Sequence, residues 1–275
     1  MNDTQSLTPD NVEIKPRNRE HQLAEALAHD WVEGDPFKTA WFNAMSITFP
    51  LGEKFFIDSV RHYAPQVTDP TLAAAVRNFC AQEGFHRREH QRYNEVLCEA
   101  RGYDLEAMEG PLRKRIKLVS SHLPAIQKLA ATAGVEHITA ILAEQLLSDD
   151  NALMDADPAV TELFRWHAAE EMEHKAVAFD VYRAIGGGER MRRAALRRAT
   201  VLLTLDIFRG VIHMLRRDRQ LWKISTWRSG VTFLFGKRGI LRAVRRSYME
   251  YFREGFHPWQ QDTRELLVRW QLQEG

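Results

Sequence analysis

Two segments of this sequence place carboxylates and imidazoles on one face of a helix. Each segment contains a Glu-x-x-His motif and lies among apolar residues. The side chains that share a face are Glu83, His86 and His90 in the first segment and His167, Glu171 and His174 in the second. At about 100° per residue, each trio falls within roughly a 60° arc of its helix. A pair of such motifs facing each other across a helical core can hold two metal ions.

A lone Glu-x-x-His motif is most often a solvated ion pair on a helix surface. Two copies, each with a third imidazole on the same arc and each beside aromatic residues, favour a metal site instead. Burying several acids without cations would also be costly. The mixture of carboxylate and imidazole ligands without cysteine favours iron or manganese, with zinc as an alternative.

A dinuclear site in a helical bundle needs one further glutamate from each of two other helices. Glu53 lies in the otherwise apolar run Phe-Pro-Leu-Gly-Glu-Lys-Phe-Phe, and Glu136 lies among small and branched apolar residues. Glu144 is the alternative on the same helix as Glu136, but it is rotated by about 80° and is less favoured.

The elements that must position these residues are helices, because strand signals are almost absent. The expected long helices run roughly over 36–63, with a kink near Pro50, 70–101, 111–148, broken or bent near Pro124, and 158–186. A capping aspartate followed by proline marks two of the starts, at Asp69 and Asp157. The sequence therefore predicts an all-α fold, a ferritin-like four-helix bundle with additional C-terminal helices. We expect a single all-helical domain over 1–275, with the metal-binding bundle at 36–186 and a helical extension at 189–275.

The composition is that of an ordinary globular protein, with 44% hydrophobic and 27% charged residues and a net charge of +1. The near-neutral charge argues against a nucleic-acid partner. Cys80 and Cys98 are too far apart along one predicted helix to form a disulfide, which favours a reducing cytoplasm. The polar segment 1–6 lacks the apolar core of a signal peptide.

One apolar segment, 199–215, raises the question of a membrane span. Asp206 and Arg209 interrupt it, and a span needs about 20 largely uncharged residues. We expect a helix that packs one face on the bundle, with peripheral membrane contact through its arginine-rich flanks as the alternative.

Several longer motifs resemble the bacterial family labelled "predicted metal-dependent hydrolase". The motifs lie at 49–56 (FPLGEKFF), 82–86 (QEGFH), 135–140 (VEHITA), 166–182 (WHAAEEMEHKAVAFDVY) and 251–259 (YFREGFHPW). The resemblance extends over nearly the whole chain after about residue 10, and it implies metal-dependent chemistry. The motifs do not themselves indicate hydrolysis.

A second resemblance concerns the ligand pattern. The His167-x-x-x-Glu171-x-x-His174 pattern is similar to that of p-aminobenzoate N-oxygenase-type di-iron enzymes, which add a third histidine to the usual ferritin-like set. This resemblance implies the ligand set Glu53, Glu83, His86, Glu136, His167, Glu171 and His174. His90 has no counterpart there and is a further ligand, a proton carrier beside the ligands or a histidine of the helix face. The roles of Glu170 and His137 stay open.

The function expected from these observations is that of a dinuclear-iron oxidoreductase that activates dioxygen and oxidises a small, apolar organic substrate. The alternatives are a dinuclear metal-dependent hydrolase and a non-enzymatic metal-binding bundle. The expected partners are the substrate and dioxygen. An electron donor and a homodimer are kept as open alternatives.

Overall fold

The computed structural model describes residues 8–9, 11–148, 153 and 155–274, and the regular secondary structure of that part is helical throughout. The α-helices are α1 Ala24–Leu27, α2 Pro36–Tyr63, α3 Pro70–Arg101, α4 Leu105–His122, α5 Ala125–Ser148, α6 Pro158–His174, α7 Val177–Ala184, α8 Glu189–Arg217, α9 Ile224–Phe235, α10 Ile240–Glu250 and α11 Arg264–Glu274. The all-α expectation is therefore confirmed. The expectation for segment 1–6 concerns residues outside the described part of the chain.

Three of the long helices begin as the sequence predicts. Asp35, Asp69 and Asp157 precede a proline at the first helical position, and each carboxylate accepts a hydrogen bond from a backbone N–H of the first turn. This arrangement satisfies donors that the helix itself leaves unpaired. Gly102, with a φ of +64°, ends α3 in the left-handed conformation that glycine adopts without strain.

One expected helix start is wrong, and one helix has a break that the sequence did not predict. The helix expected at 111–148 is broken near Pro124 into α4 and α5, as the sequence allows, but α4 starts at Leu105 because the Asp104 carboxylate caps it, and Pro111 lies inside it. The helix expected at 158–186 is interrupted after His174, where Lys175 is buried and its Nζ donates to the carbonyl of Gln261 at 2.6 Å. By contrast, α2 continues through Pro50.

The helices that carry the ligand-type residues pack around a shared interior. Helix α2 packs on α3 and α5, and α6 packs on the same two helices. Helix α8 packs across α2 and α5 from outside. The ferritin-like topology and the division at residue 186 stay predictions.

Helix α8 packs as expected for the apolar segment 199–215. It buries Ile207, Val211 and Met214 on the bundle side, and Asp206 pairs with Arg115 of α4. Within the described residues, no helix combines the length and apolarity needed to cross a membrane.

We predict that Gly210→Ala destabilises the protein because α2 and α8 meet closely at this glycine. A Cβ at position 210 would lie 2.8 Å from the Cβ of Ala44, so the helices would have to move apart. Overpacking of this kind costs about 1–3 kcal/mol in the free energy of unfolding. The matched control is Gly84→Ala on α3, where no atom lies within 4 Å of the added Cβ. There, the higher helix propensity of alanine should raise the free energy of unfolding by up to about 1 kcal/mol. Urea unfolding that ranks Gly210→Ala as stable as Gly84→Ala would contradict the prediction.

Candidate metal centre

Four helices bring the predicted ligands into one buried cluster. Helices α2 and α5 each provide one glutamate, whereas α3 and α6 provide the two Glu-x-x-His motifs and the additional histidine. The seven residues are Glu53, Glu83, His86, Glu136, His167, Glu171 and His174, and none is more than 5% exposed. The cluster therefore lies in the protein core rather than on helix surfaces.

The donor atoms form two neighbouring groups. In each group, one donor atom from every residue lies within 4.8 Å of the others; the groups are Glu53, His86 and His167, and Glu83, Glu171 and His174. Glu136 adjoins the second group, because its Oε2 lies 3.4 Å from His174 Nε2. Each group has the ligand types of a mixed carboxylate–imidazole metal position.

Glu171 connects the two groups. Its Oε1 lies 3.0 Å from His167 Nε2 and 3.8 Å from His86 Nδ1, in the first group. The same oxygen lies 3.6 Å from His174 Nε2, in the second. A carboxylate in this position could bridge two cations.

The cluster contains many buried polar atoms without a hydrogen-bond partner among the described residues. They are both carboxylate oxygens of Glu53, Glu83 and Glu136, Glu171 Oε2, His86 Nδ1 and His174 Nε2. Buried polar atoms are normally satisfied, and an unpaired buried group costs about 1–3 kcal/mol, more when charged. Metal ions would satisfy these lone pairs, so the residues fit a dinuclear metal centre.

The ring nitrogen of each histidine that faces away from the cluster has a partner. His86 Nε2 lies 3.1 Å from Glu170 Oε2, and His174 Nδ1 lies 2.8 Å from Gln82 Oε1. His167 Nδ1 lies 2.7 Å from His90 Nε2. Such contacts fix the tautomer and the ring orientation of a metal-binding imidazole. The structure thus places Glu170 beside the cluster, in contact with a ligand histidine.

His90 lies next to the cluster but outside both groups of donor atoms. Its Nδ1 lies 2.8 Å from the Ser46 hydroxyl, which donates to Asn94 Oδ1 at 2.8 Å. Because His90 Nε2 also contacts His167 Nδ1, both ring nitrogens of His90 have partners within the protein. This geometry favours a role in orienting His167 over a role as a further ligand.

A segment before α1 closes the α3–α6 side of the cluster, which the motif spacing did not reveal. Arg17 donates to Glu170 at 3.1 Å and to Glu173 at 2.7 Å. Glu89 contacts His21 at 3.2 Å. Glu89 and Glu173 therefore point away from the candidate ligands, and both are buried and paired. No spacing rule links Arg17 to residues more than 150 positions later, so sequence reasoning missed this contact.

Two other residues considered from the sequence lie away from the cluster. Glu144 is half-buried, and burial raises its pKa while Lys175 opposes that shift. His137 Nε2 lies 3.1 Å from the carbonyl of Ser247, and its ring packs beside Tyr251. Neither belongs to a donor group found in the described residues.

Burial of so many acids shifts their pKa values. Burial and the neighbouring carboxylates hold the pKa values of Glu53 and Glu83 well above the ordinary value, and the same causes raise that of Glu136 to about 7. Burial alone would lower the pKa of His174, but the facing carboxylates, Glu171 first, raise it well above normal. Without cations, the cluster therefore holds protons near neutral pH.

An apolar pocket borders the cluster, and Arg17 is not part of its wall. His167 and Glu171 form part of its wall, together with Thr48, Thr139 and Gln145. The rest of the lining is apolar and includes Trp41, Phe42, Phe49, Phe164, Leu203 and Ile207. The ring of Phe49 also contacts that of His167 edge-on, with centroids 5.0 Å apart. The pocket could thus bring an apolar ligand to the candidate metal ligands.

Comparison with known proteins identifies the family of the chain. The family model described as "Predicted metal-dependent hydrolase" matches residues 15–262. No curated protein and no solved structure matches the chain. The match supports metal dependence, whereas the similarity to di-iron N-oxygenases is not confirmed.

We predict that His174→Ala and Glu136→Gln lower bound metal severalfold while helix content stays near that of the wild type. Packing rather than metal should stabilise helices of this length, so loss of a ligand leaves them intact. The matched controls are His137→Ala and Glu144→Gln, which remove the same groups from α5 outside the cluster. Metal analysis and circular dichroism check the outcome. Equal metal content in His174→Ala and His137→Ala would contradict the ligand assignment.

We also predict that metal binding near pH 7 releases protons, because ligands must be deprotonated to bind. The raised pKa values of Glu53, Glu83, Glu136 and His174 favour the protonated forms of these groups before binding. Affinity should therefore fall as the pH falls through about 7, the pKa of Glu136. Calorimetric titration in two buffers of different ionisation enthalpy counts the protons. Binding without proton release would show that the carboxylates are already ionised.

Proposed function

Because the chain belongs to the family of predicted metal-dependent hydrolases, we propose that its buried cluster holds two metal ions and acts on a small, largely apolar substrate. The observation that supports this most is the juxtaposition of seven buried donor residues with an apolar pocket. His167 and Glu171 belong to both features. The pocket would thus place a substrate directly beside the metal ions.

We further propose that the metals are iron and that the reaction consumes dioxygen. Three imidazoles beside four carboxylates suit iron, and a redox-active pair accounts for more protein ligands than hydrolysis needs. The bound iron pair would supply electrons for the reduction of dioxygen. A monooxygenation would consume two electrons from an external donor and two protons from solvent, with one oxygen atom entering the substrate and the other leaving as water.

The residues of the chain would orient the ligands and exclude bulk water. His90, Glu170 and Gln82 each hold one histidine by the nitrogen that faces away from the cluster. Apolar and aromatic side chains line the pocket, so a reactive centre there would be shielded from side reactions with water. The pocket also offers few hydrogen-bond donors that could hold an ester or phosphate group.

The second candidate is a dinuclear hydrolase, and the description of the family favours it. In that case the two metals would activate a water molecule and stabilise the negative charge that develops on the substrate. A non-enzymatic metal-binding bundle is the third candidate. The histidine-rich ligand set argues against metal storage, because stores favour carboxylates that release iron.

We predict that the iron-loaded protein, reduced without air, consumes oxygen when mixed with it and gives a transient visible absorption band. Two measurements check this outcome: oxygen-electrode uptake and stopped-flow absorbance. Glu171→Ala should abolish the uptake, since this carboxylate adjoins both groups, whereas Glu144→Gln should keep it. If the iron form takes up no oxygen and the zinc-loaded protein cleaves ester or amide substrates, the hydrolase is correct. If neither activity appears in metal-replete protein, the binding-only alternative stands.

A further inference from the structure

The surface formed by residues 219–249 is basic and carries exposed apolar side chains. This stretch contains no aspartate or glutamate and eight basic residues: Arg219, Lys223, Arg228, Lys237, Arg238, Arg242, Arg245 and Arg246. It comprises α9, α10 up to Met249 and the segments before each helix; Glu250, the last residue of α10, pairs with Arg246. We call it the basic outer surface.

Helix α9 is apolar on two opposite faces, and the bundle covers only one of them. Thr226, Gly230 and Leu234 are buried, and Gly230 lies against the ring of Phe37. The opposite face carries Ile224, Val231 and Phe235, which fall within roughly a 40° arc at 100° per residue. Ile224 is 85% exposed and Phe235 is 61% exposed. The outer face of α9 is therefore an apolar stripe without a partner in the described chain.

The apolar stripe continues beyond α9. Trp222, just before the helix, is 91% exposed, and Ile212 of α8 is also exposed. These two residues line one hollow together with Ile224 and Trp227. Contiguous exposed apolar surface of this kind marks an interaction site.

Cations surround the stripe. Lys223 precedes α9, Arg228 lies on its outer face, and Lys237 and Arg238 follow its end. All four are exposed, and none forms an ion pair with an acid among the described residues. Their charges are therefore available to an anionic partner.

We propose that the basic outer surface docks the protein on an anionic phospholipid bilayer. Helices that lie in a bilayer interface combine an apolar face with lysine and arginine at their edges, and tryptophan favours the headgroup region. Anionic headgroups complement the exposed cations around the stripe, Lys223, Arg228, Lys237 and Arg238. A second copy of the chain is a poor occupant, because a symmetric contact would bring two basic surfaces together.

Docking in this orientation would bring the apolar pocket close to the lipid. Ile240, the first residue of α10, belongs to the wall of the pocket that contains His167 and Glu171. An apolar substrate could then pass from the bilayer to the pocket. This consequence rests on the proposed function, whereas the docking itself does not.

Vesicle co-sedimentation of the full-length protein tests the docking without any activity readout. The probes are phosphatidylcholine vesicles with and without roughly 30 mol% phosphatidylserine, the anionic lipid of cytoplasmic leaflets. We expect binding to the anionic vesicles, little binding to the neutral ones, and weaker binding as salt rises.

Two double variants probe the two parts of the surface. Trp222→Ser with Ile224→Ser removes exposed apolar area, and Lys237→Glu with Arg238→Glu reverses charge; each should weaken vesicle binding about tenfold. The controls, Leu272→Ser and Arg269→Glu, alter exposed residues of α11. Circular dichroism checks that all variants fold.

Three results would overturn the proposal. The first is equal binding of the protein to neutral and anionic vesicles. The second is a loss of vesicle binding in the α11 control variants equal to that in the double variants. The third is a protein that binds no vesicles but forms a dimer, and whose dimer dissociates when Trp222 and Ile224 are replaced by serine. The last result would assign the surface to a second copy of the chain. If the protein consumes oxygen but does not bind vesicles, the membrane-docking proposal alone is refuted. If it binds vesicles but has no activity, the proposed function alone is refuted.

Discussion

The structure depends on the burial of four carboxylates and three imidazoles at the centre of four helices. Charges taken out of water are costly unless cations, protons or hydrogen bonds compensate them. Glu53, Glu83 and Glu136 have no hydrogen-bond partner among the described residues, and their raised pKa values favour protonated forms when no cation is bound. The fold therefore buries a set of candidate ligands whose charges must be compensated by protons or by bound cations, which is how packing would prepare a metal site.

The contacts around the cluster explain why the ligand side chains keep their positions. Each ligand histidine uses one nitrogen for the cluster and the other for a buried partner, such as Glu170 for His86. Glu170 is in turn paired with Arg17, so the orientation of an imidazole on α3 depends on a segment before α1. The positions of the cluster side chains are thus stabilised by several successive contacts around them and not only by contacts within the cluster.

The sequence predicted the helical class and the convergence of the ligand types because both follow from periodicity. Asp69 and Asp157 marked their helix starts by local capping, which needs no knowledge of the fold. The separation of α6 from α7 was missed because it coincides with long-range contacts of Lys175. The pairing of Arg17 with Glu170 was missed for the same reason. Contacts between distant segments leave no period in the sequence, so spacing cannot reveal them.

The two sides of the cluster differ in a way that decides how a substrate reaches it. On the α3–α6 side, Arg17 and its two glutamates form a buried ionic layer, and an apolar molecule passing there would have to break charged pairs. On the side of the pocket, the wall formed by α2, α5, α6 and α8 is mostly apolar and ends at His167 and Glu171. Entry from this side disrupts no ion pair of that layer and removes apolar surface from water. Under the proposed function, this asymmetry would favour apolar substrates by their route, before any contact with the candidate ligands.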